Sequence, residues 1–176
     1  MSWYCAYSED RPLHKRYHDR EYGFPTSNER VLFERLALEI MQAGLSWDIV
    51  MKKRKALNAA FDRFAAARVA AYGAREVKRL LADEGIIRNR RKIEAIIENA
   101  RRIVDMRKTH GGFAKWLAAQ DACSKAAWVR IFKKQFVFMG PEIVNEFLMG
   151  IGYLPGAHRT DCPVYEAIRK IKPGRV

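Results

Sequence analysis

The sequence predicts an all-α fold, and three observations carry that prediction. From Thr26 onward, the apolar residues recur at helical spacing in one stretch after another. Helix punctuation frames these stretches, with side-chain caps before them, glycines after them and a proline in a first-turn position. Late in the chain, two such stretches flank a tight glycine-containing hairpin around Phe136–Pro141. The chain has 176 residues, 49% of them apolar. That is enough for one domain with its own core, and too apolar for a disordered chain.

Charge narrows the function classes. Lys and Arg number 33 against 20 Asp and Glu, a net charge of +13. Such an excess favours a polyanionic partner, nucleic acid or an anionic membrane surface, over the plainer reading of a merely basic protein. No apolar run approaches the roughly 18 residues of a spanning helix, so no membrane partner is expected. Met1-Ser2-Trp3-Tyr4-Cys5 has neither a basic nor an apolar leader character, and a cytosolic (cytoplasmic) or nuclear location is expected. Three cysteines, Cys5, Cys123 and Cys162, are too few and too odd a count for a disulfide framework.

Taken in order, residues 1–25 read as irregular and aromatic. Trp3, Tyr4, Tyr7, Tyr17 and Tyr22 alternate with Cys5, His14, His18, Asp19 and Glu21. The segment suits either a packed N-terminal arm or a wall on which bases stack. Thr26 to Ala43 reads as a helix, with Thr26-x-x-Glu29 as its capping box. Its apolar face is Leu32, Phe33, Leu36, Ile40 and Ala43, and Glu39 points almost along Leu32, toward the buried side. A carboxylate there is either hydrogen-bonded and functional or paired with Arg35 at the edge of the face. Gly44 ends this helix.

Residues 46–72 read as a second helix with Ile49, Val50, Leu57, Ala60, Phe61 and Phe64 inward, followed by a short alanine-rich piece. Its basic run Lys52-Lys53-Arg54-Lys55 reads as a solvated face. Arg75 to Ala82 is helical, with Gly85 as its terminating glycine. After a basic segment, Ile93, Ile96, Ile97, Ala100, Ile103 and Val104 form the inner face of a long helix that stops at Gly111-Gly112. Phe113 to Ala119 is a short helix. Ser124 caps the next one, and Pro141 opens another that runs to about Gly150. Helix, hairpin, helix can hold a DNA phosphate on backbone amides, or can be an ordinary turn. Residues 163–171 form a last helix. His158-x3-Cys162 has metal-ligand spacing. Cys5 and His18 at the other end would complete the four ligands of a closed tetrahedral site, if the two pairs meet. Cys123 reads as an inert core thiol, and no lysine lies in an obviously apolar setting.

Several of these stretches carry a resemblance. Cys5-x-Tyr7, Tyr17-His18-Asp19-x-Glu21-Tyr22-Gly23-x-Pro25, Leu32-Phe33-Glu34 and Leu38-Glu39-x-x-Gln42-Ala43-Gly44-Leu45-Ser46-Trp47 resemble the DNA-3-methyladenine glycosylase I family. So do Gly85-Ile86-Ile87-Arg88-Asn89-x-x-Lys92-Ile93, Phe136-x-Phe138-x-Gly140 and His158-x3-Cys162. The matches run in order from residue 5 to 162, nearly the whole chain.

The resemblance implies a helix-hairpin-helix DNA glycosylase fold in a single domain, residues 1–176. Residues 124–152 would form the helix-hairpin-helix, and residues 1–25 with 154–162 a zinc-binding annex. It implies one structural Zn2+ on Cys5, His18, His158 and Cys162, tying the N- and C-terminal segments together. It implies Glu39 as the catalytic recogniser and a base pocket from Tyr7, His14, Tyr17 and Trp47. Gly44 and Leu45 would enter the duplex, and Phe138, Met139 and Gly140 would hold its backbone. The expected partners are double-stranded alkylated DNA and the 3-methyladenine product, and the expected state is a monomer without lyase activity.

The chain departs from the family at several points. Tyr7 stands where the family usually has tryptophan, and His14 where it has tyrosine. Pro141-Glu142 replaces small hydroxyl residues after the hairpin glycine, and Pro155-Gly156-Ala157 precedes His158 in place of Asn-Asp. These changes leave two other readings: a shifted preference among alkylated bases, or a zinc-stabilised DNA-binding protein without catalysis.

Overall fold

The computed structural model describes residues 3–122 and 124–171, and every regular element among them is helical. The chain divides into two compact units. One is Ser27–Val144, the other Met1–Thr26 together with Asn145–Val176.

The Ser27–Val144 unit is built around α3, Glu29–Gln42. Its residues from Leu32 to Met41 are all buried, so every side of this helix is covered, not only the face that periodicity marks. The helix does not begin at Thr26. Asn28 is its cap, with the side-chain oxygen accepting from the amides of Arg30 and Val31. Glu29 does not reach back as a capping-box residue would, because Arg107 takes it in a 2.6 Å ion pair.

α4, Trp47–Ala60, returns alongside α3, capped by Ser46. Glu34 and Arg54 tie the pair through two side-by-side bonds of 2.9 and 3.1 Å. Lys53 donates to the carbonyls of Glu84 and Gly85 at 2.8 and 3.1 Å. The basic run on α4 is therefore only partly a solvated face, since two of its four cations are spent inside the fold. Ile49, expected inward, is exposed.

The expected 46–72 helix is broken. Asp62, Arg63 and Phe64 form a left-handed turn with φ of 51°, 53° and 52°. Such a turn costs roughly 1–2 kcal/mol per L-residue. Phe61 and Phe64 stack in the core, and the Tyr72 hydroxyl donates to Asp62 at 2.6 Å, which offsets that cost. The alanine-rich piece is α5, Ala66–Ala70, and α6 spans Ala74–Ala82. Gly85 does not terminate α6. Asp83 does, leaving the helical conformation, and its carboxylate accepts from the Gly85 amide at 2.8 Å.

α7, Arg90–Thr109, packs against α3, α5, α6 and α8. Asn89 caps its start, and Gly111 and Gly112 end it at φ of 75° and 116°, with the Gly112 amide bonding back to the Met106 carbonyl. α8 is Phe113–Ala118. α9, Lys125–Gln135, starts at a Ser124 cap that accepts from the Ala127 amide. Cys123 lies outside the described residues. The hairpin 136–140 leads into α10, Pro141–Gly150. From Asn145 onward α10 belongs to the other unit.

That other unit gathers the two ends of the chain. Its N-terminal part is not irregular: α1 spans Trp3–Ser8 and α2 Pro12–Arg20, with Pro12 in the first turn. Tyr17, Tyr22 and His14 pack edge to face around the buried Tyr4, at 5.3–6.3 Å between centroids. The Gly23 amide donates to the Gly150 carbonyl at 2.8 Å. Gly152 has φ 70°, and a Cβ there would meet the Gly23 carbonyl at 2.6 Å, so only glycine lets these backbones approach. α11, Pro163–Ile171, completes the unit.

Candidate functional site

In the unit formed by the chain ends, four buried side chains converge. Cys5 comes from α1, His18 from α2, His158 from the loop after α10, and Cys162 from the residue before α11. Their ligand atoms all lie within 4.8 Å of one another. The Cys162 Sγ is 3.7 Å from both His18 Nε2 and His158 Nδ1, and Cys5 Sγ is 3.8 Å from His158 Nδ1. The two imidazole nitrogens are 3.0 Å apart. Metal–sulfur bonds of ~2.3 Å and metal–nitrogen bonds of ~2.0 Å at tetrahedral angles require ligand–ligand distances of about 3.3–3.8 Å. The cluster is close to that size.

The surroundings fit a metal as well. The outer nitrogen of each histidine is engaged: His158 Nε2 lies 2.7 Å from the Tyr22 carbonyl, and His18 Nδ1 lies 2.8 Å from the Asp19 carboxylate. Both acceptors fix the proton on the outer nitrogen and turn a bare nitrogen toward the centre. Burial works against the Asp19 carboxylate, but hydrogen bonds from Lys15 and His18 outweigh it and hold its pKa below the usual range. Burial also pushes His158 down, against the pull of the Tyr22 carbonyl, and pushes the Cys162 thiol up. The Arg159 amide donates to Cys5 Sγ at 3.4 Å, a contact suited to a thiolate. Two thiols and two imidazoles, each oriented inward, can hold one metal ion.

The same unit contains Tyr7, His14 and Tyr17. His14 and Tyr17 are buried, and Tyr7 is half-buried. The Tyr4 hydroxyl is 3.0 Å from His14 Nδ1, and the Tyr7 and His14 rings meet edge to face at 5.0 Å. The Arg11 guanidinium lies 4.1 Å over the Tyr7 ring.

The Ser27–Val144 unit contains the other expected residues. Glu39 is 7% exposed, between the fully enclosed Leu38 and Ile40. Five residues later α3 opens into the Gly44-Leu45 tip, where Gly44 has φ 77° and Leu45 is 39% exposed. Nothing lies within 4 Å of where a Gly44 side chain would begin. Trp47 then turns back in as the first residue of α4 and is buried. So the α3–α4 hairpin buries a carboxylate and an indole on either side of an exposed leucine.

In the 136–140 hairpin, Phe138 has φ 61°, Met139 is buried and Gly140 has open space where a Cβ would be. The Gly140 carbonyl accepts from Val144, starting α10. Asn99 of α7 grips the hairpin by both backbone groups of Val137, accepting at 2.9 Å and donating at 3.1 Å. Arg102 donates to the Gln135 carbonyl at 3.2 Å.

Sequence reasoning missed one residue here. Lys92 is 5% exposed, and its Nζ donates to the Met41 and Ala43 carbonyls at 2.8 and 2.6 Å. The expectation of no lysine in an apolar setting is therefore corrected. The signal was present, since Lys92 stands one turn before Ile96 on the inner face of α7.

Known proteins give the site its context. The sequence profile of the methyladenine glycosylase family matches residues 7–131. The chain is 36% identical to DNA-3-methyladenine glycosylase 1 of Escherichia coli (strain K12), over 92% of this chain and 96% of that one. A crystal structure of a tyrosine-to-phenylalanine variant of 3-methyladenine DNA glycosylase I, in complex with 3-methyladenine, superposes with a TM-score of 0.82. It is 30% identical and covers 92% of this chain and 96% of that one. The Staphylococcus aureus enzyme, solved to explain 3-methyladenine recognition, gives 0.82 at 31% identity, over 92% and 95% of the two chains. With the profile spanning more than half its length and relatives matched end to end, the chain belongs to the methyladenine glycosylase family.

Proposed function

We propose that this chain is a monofunctional DNA glycosylase that hydrolyses the N-glycosidic bond of 3-methyladenine in alkylated DNA. The observation that carries the reading is the α3–α4 hairpin, where buried Glu39 and buried Trp47 flank the exposed Gly44-Leu45 tip. Family membership supplies the substrate class. Methylation at N3 puts positive charge on adenine and weakens its bond to deoxyribose. The protein need not activate a poor leaving group; it must find, extrude and hold the lesion. Extrusion costs a few kcal/mol, less for a damaged base, and stacking on an aromatic returns roughly 1–3 kcal/mol.

Each expected residue has a role in this reading. Leu45, carried on Gly44, fills the gap that the extruded nucleotide leaves. Tyr17, Trp47, Tyr7 and His14 offer ring faces and edges to the base. Glu39 accepts a hydrogen bond from the exocyclic amino group and complements the cationic ring. The glycosidic electron pair leaves with the base and neutralises it. Water supplies hydroxyl to the sugar C1′ and releases a proton to solvent. The backbone of Phe138, Met139 and Gly140 faces a phosphate, since the Met139 side chain is spent in the core. Cys5, His18, His158 and Cys162 hold one Zn2+. The ion would cross-link the chain ends and take no part in the hydrolysis. Alkylated duplex DNA is the partner, with the protein acting as a monomer in the cytoplasm.

Incubating the protein with methylated duplex DNA and identifying the freed bases tests the reading directly. Free 3-methyladenine is the expected product, and no free base at any protein concentration sinks it. Glu39→Gln should slow excision roughly a hundredfold, the low end for loss of one preorganised electrostatic contact. DNA binding should change far less. Equal losses in both would make Glu39 structural. A second reading, a shifted preference among alkylated bases, is favoured by Arg11 over the Tyr7 ring. A cation already on that face opposes a cationic base there. It predicts that other alkylated bases appear among the products in comparable yield.

A further inference from the structure

We infer that Lys92 is the positioning residue for the Gly44-Leu45 tip, anchoring the backbone carbonyls on both sides of Gln42 so that Leu45 leaves α3 at a fixed angle. The inference rests on the proposed entry of Leu45 into the duplex. A helix leaves its last carbonyls without intrahelical partners, and at a working loop those groups must be held by something. Here the Lys92 ammonium bonds to Met41, inside the last turn of α3, and to Ala43, the residue that ends it. Ala43 turns out at φ −47°, ψ 116°, and Gly44 follows at φ 77°. Between the two anchors, the Gln42 carbonyl accepts from the Leu45 amide at 2.6 Å. With its neighbours on either side pinned, this small turn cannot unwind without breaking both bonds to Lys92.

The tip itself supplies little to stay in place. Gly44 has open space on its side-chain face, and the Leu45 side chain is exposed. Ser46 caps α4 on one side of it, and on the α3 side the Leu45–Gln42 bond rests on the side chain that rises from the first turn of α7. A tip that is already ordered when it meets DNA loses less freedom on insertion than a flexible one.

A buried lysine in a base-excision protein invites a different assignment, as an amine that attacks the sugar. The geometry argues against it. Burial pushes the Lys92 pKa below its usual value, but two carbonyls at the negative end of α3 favour the charged form. An ammonium has no lone pair to donate, and two of its hydrogens are already committed. Lys92 therefore fits a monofunctional enzyme.

The test compares the unaltered protein with Lys92→Met, which keeps the stem and removes the donors, and Lys92→Arg, which keeps charge and donors. Amide hydrogen exchange is measured first, without DNA. In the unaltered protein the Leu45 amide should exchange slowly despite its exposed side chain, and in Lys92→Met at least tenfold faster, with the middle of α3 unchanged. A fast Leu45 amide in the unaltered protein overturns the clamp even if Lys92→Met does not fold. So does unchanged exchange in the variant. Single-turnover excision from methylated DNA should then fall at least tenfold in Lys92→Met, with binding of free 3-methyladenine within twofold and Lys92→Arg recovering most of the loss. Faster exchange with undiminished excision, or equal loss of free-base binding, overturns the positioning role. Leu45→Ala separates the two ideas: if it excises as fast as the parent, the duplex-entry reading fails, whatever Lys92 does to the amide.

Discussion

Asn99 shows how much one side chain can fix. Its amide is fully buried and meets both backbone groups of Val137, so a single residue of α7 sets where the hairpin before α10 sits. Replacing it with leucine keeps the branching in a larger side chain and leaves the Val137 N–H and carbonyl without their partner. Asn99→Leu should destabilise the protein by about 2 kcal/mol, read from the urea midpoint. An unchanged midpoint would mean that water replaces the amide. Residues of this kind are hard to see in a sequence. An asparagine in a helix reads as a surface residue, and its partner is 38 positions away. Glu39 was easier, because an acid in register with Leu32 and Leu36 stands out. Yet periodicity gave only part of the reason, as α3 is enclosed on every side between Leu32 and Met41. Lys92 stood in the same kind of register on α7 but was hidden among Arg88, Arg90 and Arg91, which are exposed as basic residues usually are.

Long helices with clear caps were legible; short ones were not. α7 lies between Asn89 and Gly111 as the pattern indicates, and Ser124 caps α9. α1 and α2 escaped notice because six and nine residues rich in Tyr, His and Arg carry no apolar period. They are stabilised by each other and by partners near residues 150–162, which no local reading contains. The break after α4 also lacks a local mark: no glycine or proline stands at Asp62–Phe64, and the left-handed turn is sustained by packing of Phe64 and the Tyr72–Asp62 bond. At this scale the metal cluster is the feature to test. Protein purified without chelator should carry about one zinc per chain. Stripping it leaves four inward-facing ligands buried with no cation, and a loss of even ~3 kcal/mol would lower Tm by roughly 6–12 °C in a chain of this length. A metal-free protein with unchanged Tm would remove zinc from the proposal.

For the whole molecule, the net charge of +13 is the property the sequence states most plainly. Several cations are nonetheless unavailable to a partner. Arg54 is held by Glu34, Arg107 by Glu29, and Lys53 and Lys92 by backbone carbonyls. The remaining excess should make DNA binding strongly salt-dependent. If about four phosphates are neutralised, affinity should fall about a hundredfold between 50 and 200 mM salt. A flat dependence would argue that charge contributes little to binding. Among the described residues no helix is long and apolar enough to cross a membrane.

The four-residue cluster draws on both extremes of the chain, with 156 residues between Cys5 and Cys162. During synthesis Cys5 and His18 emerge well before the other two ligands. Until His158 and Cys162 leave the ribosome, the early pair can offer an ion only half a coordination sphere, and Tyr22 and Gly23 lack their contacts with His158 and Gly150. This unit therefore closes only after residue 162 has been made. A chain that stops before His158 would leave the aromatic N-terminal segment without these C-terminal partners.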